Sequence, residues 1–166
     1  MSKKTSLKLK RFHYESKFQE LQALAEVKNT DLAKSVLSLG EALSHVEEEF
    51  VNKRELPNTP EILKYKEEIK SIGDKFVQKD ENGKVISDQN GNPFIKDREK
   101  YHAEMSSLNS RSKEAIDQIS VFEKEFQKYA EEEIVVEFEN FVTQIPKDFN
   151  VTELQAFQNN FPTLSL

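Results

Sequence analysis

Apolar residues recur at alternating steps of three and four through three long segments, and this rhythm restricts the fold more than any other feature of the chain. The first series is Leu32, Val36, Leu39, Leu43, Val46 and Phe50. The second is Ile62, Tyr65, Ile69, Ile72 and Phe76. The third runs Tyr101, Met105, Leu108, Ser112, Ala115, Ile119, Phe122, Phe126 and Tyr129, with the polar Ser112 at one step. Residues three and four apart share one face of an α-helix, and a stripe of this kind must be covered by another helix. The spacing predicts a helix starting near Asn29-Thr30-Asp31, a second over 60–77 and a third over 97–131. At 1.5 Å per residue the third would be roughly 50 Å long. A shorter helix, with Phe18, Leu21, Leu24 and Ala25 on one face, precedes them.

The helix boundaries are written locally. Asn29-Thr30-Asp31, Thr59, Asp97 and Asn150 offer capping oxygens. Pro60 suits a first helical turn, and Glu153 lies three residues after Asn150, as in a capping box. Between 78 and 97 the helical period disappears. Asn82-Gly83 and Asn90-Gly91 are turn signals there, with Val85-Ile86 and Phe94-Ile95 beside the second. A β-hairpin or β-like loop between the second and third helices is expected.

Two segments alternate in strand fashion. One is basic, "TSLKLKRFHY" at 5–14; the other is acidic, "EEIVVEFENF" at 132–141. Six cations stand against two glutamates in the first 20 residues, and seven glutamates against two lysines in 121–140. Pairing these strands would set Lys8, Lys10 and Arg11 against Glu133, Glu137 and Glu139. The expected fold is therefore mainly α. It comprises an antiparallel helical coiled-coil hairpin with a β-hairpin tip, plus a small two-stranded sheet joining the N- and C-terminal segments. A single domain over 1–166 is expected, with an arm at 60–131, its tip at 78–97, and a base from 5–56 and 132–166.

Several chemistries are disfavoured. The chain has no cysteine, which excludes disulfides and thiolate sites. Net charge is −6, opposing a general affinity for nucleic acid or anionic membrane. No apolar run approaches the roughly 20 residues that span a bilayer. His13, His45 and His102 are far apart, and four glycines build no phosphate loop. "DQNGNPFIKDRE", 88–99, approximates a calcium loop through Asp88, Asn90, Asn92, Phe94 and Glu99. Its sixth position needs glycine, but Pro93 stands there, and Lys96 brings a cation to the ninth. A turn is the preferred reading, and no metal or cofactor is expected.

The order of elements resembles a group of small bacteriophage and prophage proteins of unknown function. The matching pieces are "SLKLKRF", "LAKSVLSLGEALSHVEEEF", "FVQKDENGKVISDQNGNPFIKDREKY", "EEEIVVEF" and "NVTELQAF". The resemblance implies a phage-encoded protein acting in the host cytoplasm, and carries no activity or functional residue with it. The expected function is non-catalytic: an accessory or anti-defence factor that binds and occludes another protein. The alternative is a structural virion component or assembly chaperone that self-associates through its arm. Candidate partner contacts are Val85, Ile86, Phe94, Phe161 and Leu164.

Overall fold

The computed structural model describes residues 2–161. They contain six α-helices and one small antiparallel sheet, so the chain is mainly helical. Strand β1 (Lys3–Lys10) passes through a 3-10 turn at Arg11–His13 into α1 (Tyr14–Ala25). Helices α2 (Thr30–Arg54), α3 (Pro60–Phe76), α4 (Arg98–Arg111) and α5 (Lys113–Glu131) follow. Strand β2 (Glu133–Asn140) and α6 (Val151–Asn160) complete the order. The chain divides into two compact units, 1–55 with 125–166, and 56–124.

In the first unit β1 and β2 pair antiparallel, with Leu7 opposite Val136 and Lys10 opposite Glu133. Alternation decides the register, because a slip by one residue would turn every apolar side chain to solvent. Thr5, Leu7, Leu9, Val136, Phe138 and Asn140 face inward and are buried. The expected charge pairing is realised only in part. Lys4 opposes Glu139, and Lys8 reaches Glu133 at 3.9 Å. Glu137 faces Ser6, and Arg11 lies beyond the strand. Its guanidinium pairs with Glu132 and lies 4.1 Å from the Tyr129 ring centroid. The apolar register places these charges, and they do not set it.

Behind the sheet, α2 packs on β2, and α1 packs on α2 and α6. Their core joins Leu21, Leu24, Leu32, Leu39, Leu43, Ala156, Phe157 and Phe161 to the inward residues of the strands. Two serines of α2 complete the backbone pairing of β2 and the residue after it. Ser38 Oγ accepts the Glu139 N–H at 2.9 Å, and Ser35 Oγ accepts that of Phe141 at 2.7 Å. Ser35 also contacts the Asp31 carbonyl at 2.9 Å and Asn140 Oδ1 at 3.1 Å. Buried groups stripped of such partners cost about 1–3 kcal/mol each, which is why a polar pair is tolerated in this core.

In the second unit α3 and α4 lie antiparallel. Tyr65 hydrogen-bonds Asn109 at 2.8 Å, and Phe76 meets Tyr101 edge-on at 5.9 Å. Ile72, Phe76 and Leu108 form the buried centre, flanked by Tyr65, Ile69, Ile95, Tyr101 and Met105. Two ion pairs, Lys75–Glu104 and Arg111–Glu68, run alongside. Each predicted cap site acts, with Asn29 the capping residue of 29–31: Asn29, Thr59, Asp97 and Asn150 accept N–H groups from Leu32, Ile62, Lys100 and Glu153.

The single helix expected over 97–131 is interrupted. Ser112 leaves helical geometry at φ −106°, ψ 33°, separating α4 from α5. A side-chain rhythm reports which face a residue occupies, and it is blind to the backbone angles beneath. At this point in the stripe stands a small polar residue with no apolar group to anchor the turn.

Candidate interaction surface

The loop joining α3 to α4 has an order that its two Asn-Gly pairs only hint at. Its sequence repeats every eight residues: VQKDENGK from Val77, VISDQNGN from Val85, then PFIKDREK from Pro93. Each copy begins with an apolar residue, and the first two place Asp, Asn and Gly at equivalent positions. The backbone follows the same period. Gln78 N–H donates to the Phe94 carbonyl at 2.8 Å, Phe94 N–H to Ile86 at 2.9 Å, and Ile86 N–H to Gln78 at 2.9 Å. These three bonds close a ring.

A second set obeys the same symmetry. Asp80, Asp88 and Lys96 donate their N–H groups to the carbonyls of Lys84, Asn92 and Phe76, at 2.9, 2.8 and 2.8 Å. Three β-bridges, Val77–Ile95, Lys79–Val85 and Ser87–Pro93, are related in the same way. The loop is thus a pseudo-threefold ring, which fits the β-like loop of the two expected forms and departs from the hairpin. The Asn-Gly turns are legible in the sequence alone, and the repeated D-x-N-G at Asp80 and Asp88 is the signal that carries the period.

The turns explain the residue choices. Gly83 and Gly91 have φ of 80° and 83°, where a Cβ is strained. Asp80 Oδ1 accepts the N–H groups of Asn82 and Lys84, and Asp88 Oδ1 those of Asn90 and Asn92. Asn92 Nδ2 adds a bond to Asp88 Oδ2 at 3.2 Å. These Asx turns explain the oxygen spacing that resembled a calcium loop: the Asp88 carboxylate is directed onto its own loop's amides. Glu99 sits in the first turn of α4. Among the described residues, no three His, Asp or Glu side chains converge as metal ligands would.

Hydrogen bonds from the Asn92 backbone and side chain hold the Asp88 carboxyl below its ordinary 3.8. Bonds from Lys100 do the same for Asp97, the cap of α4. A carboxylate with a depressed folded-state pKa contributes stability above its unfolded value and loses it as pH falls through the folded value. The ring and the α4 cap should therefore hold down to 3.8 and loosen below it. In an NMR titration the Asn90 and Asn92 amide signals should shift with a midpoint under 3.8. A midpoint at or above that value would show that these bonds do not form.

Of the five candidate contacts, three lie on this ring. Val85, Ile86 and Phe94 are exposed to 43%, 40% and 42%. Ile86 and Phe94 hold equivalent repeat positions, as does Gln78. Phe161 is different, and the expectation that it is open to a partner is corrected. It is fully buried, stacked on Phe157 at 5.0 Å and edge-on to Phe138 at 5.6 Å. The Phe161 ring, which looked adhesive in the sequence, belongs to this core. Leu164 lies outside the described residues.

No helix among the described residues is long and apolar enough to cross a membrane. Comparison of the chain with protein-family models, curated proteins and solved structures finds no match.

Proposed function

We propose that this chain is a non-catalytic interaction protein that recognises another protein through the 77–97 ring. In this reading α3 and α4 form an antiparallel coiled-coil hairpin and the ring is its tip. The observation that supports it best is the exposure of Val85, Ile86 and Phe94 on a loop whose backbone is closed on itself. Exposed apolar groups held rigidly lose little conformational entropy on binding, which favours recognition. With the resemblance to bacteriophage proteins, the role is that of a phage-encoded accessory or anti-defence factor in the host cytoplasm. It would act by covering a surface that its target needs.

The experiment compares the wild-type chain with an Ile86→Asp/Phe94→Asp variant by affinity capture from bacterial lysate and sedimentation velocity. The proposal expects a stoichiometric complex with one protein, lost in the variant, and a free chain that sediments as a monomer. Capture unaffected by the variant would remove the ring from recognition. Concentration-dependent oligomers without a foreign partner would favour the structural alternative, a virion component or assembly chaperone built by self-association.

A further inference from the structure

We infer that the groove between α1 and α2 is a docking site for a basic amphipathic helix of a partner protein. This surface is separate from the ring, and the inference does not depend on the ring's role. The two helices form an αα-hairpin, closed at one end by Tyr14 against Phe50 at 5.3 Å. Besides its buried stripe, α2 carries a second one: Leu37, Gly40, Glu41, Ser44 and Glu47 line one wall, and Phe18, Leu21 and Gln22 the other. The groove between them has a volume of about 580 Å³.

Phe18, Leu21, Ala25, Val36 and Leu37 supply its apolar lining, while the polar Gln22, Glu41, Ser44 and Glu47 are exposed beside them. Leu37 is 64% exposed, more than an apolar side chain needs to be in a helix packed on one face. Gly40 sits in the middle of a 25-residue helix, and a Cβ built there would meet nothing within 4 Å. Glycine in a helix interior costs about 0.5–1 kcal/mol relative to alanine, and what it offers in return is close approach by another backbone. A slot between two helices takes a third by ridges into grooves, with apolar anchors at helical spacing.

Charge selects the occupant. The ionisable side chains lining the groove are Glu41 and Glu47. The groove also reaches Ala25, the last residue of α1, and no basic side chain occupies that helix's final turn. The carboxyl end of a helix carries partial negative charge and favours cations. An apolar floor with an electronegative rim fits a helix with leucine-like anchors on one face and lysine or arginine beside them.

The probe is a fluorescein-labelled peptide of leucine and lysine patterned for one apolar helical face, with a leucine–glutamate twin as control. Fluorescence anisotropy should show micromolar binding of the lysine peptide to the full chain and far weaker binding of its twin. Leu37→Asp should weaken the lysine peptide by about tenfold or more. This variant adds negative charge, so attraction by charge alone would strengthen binding instead. Leu37 is exposed, so the variant should keep its circular dichroism and melting temperature. Gly40→Phe, which fills the slot, should weaken binding similarly.

No binding to the wild-type chain, equal binding of both peptides, or unchanged affinity in Leu37→Asp would each overturn the proposal. A wild-type dimer that Leu37→Asp disperses would also overturn it, since a second copy would then be the occupant.

Discussion

Truncating Phe157 to alanine should destabilise the first unit by about 3–5 kcal/mol, the range for a fully buried phenylalanine. The ring is 0% exposed. It stacks on Phe161 at 5.0 Å and tilts against Phe149 at 5.3 Å. Removing it opens a cavity between two aromatic neighbours, neither of which can collapse into the gap without leaving its other contacts. Urea unfolding followed by circular dichroism would measure the loss as a lower midpoint. Phe122→Ala is the informative contrast. The sequence rhythm ranks Phe122 as a seam residue, but it is only half-buried, and its truncation should cost less. Equal destabilisation of the two variants would show Phe122 to be as deeply buried as Phe157.

Leu108→Ala should be nearly as damaging to the second unit, at about 2–5 kcal/mol. Leu108 is fully buried, and it shares a small centre with Ile72 and Phe76. A cluster of this size has little reserve, because the net stability of any domain is a small difference between large terms. Hydrogen exchange read by mass spectrometry would locate the effect. Amides of 76–97 should exchange faster in the variant, since Ile95 packs on the same cluster and anchors the ring. Amides of β1 and β2 should keep their protection. Loss of protection spread evenly over the chain would mean that the two units unfold as one.

How much of this was legible in the sequence depended on the range of the physics involved. The four helix caps are local interactions over three residues, and Asn29, Thr59, Asp97 and Asn150 all perform as their chemistry predicts. The pairing of β1 with β2 spans most of the chain but was announced by opposite charge and matched alternation. Backbone angles were less visible: Ser112 keeps the stripe's spacing while breaking the helix.

The exposure of the candidate contact residues was the least legible. Val85, Ile86 and Phe94 could be marked from their place beside a turn, whereas Phe161 looked the same on paper and is core. Exposure depends on what the rest of the chain covers, and a short apolar run does not encode that. Leu37 gave a weak signal, an apolar residue off the buried stripe and one turn from Gly40.

The closed ring at 77–97 has a consequence for how this protein can vary. An ordinary surface loop accepts insertions of almost any length at little entropic cost. Here Gln78, Ile86 and Phe94 complete one another's hydrogen bonds in a cycle of three, so a lost copy leaves a donor and an acceptor facing an empty place. An extra copy must open the circle to enter. Sequence drift should therefore concentrate in the outward side chains while the segment's length stays fixed. The same scaffold would then present different apolar faces without rebuilding its frame.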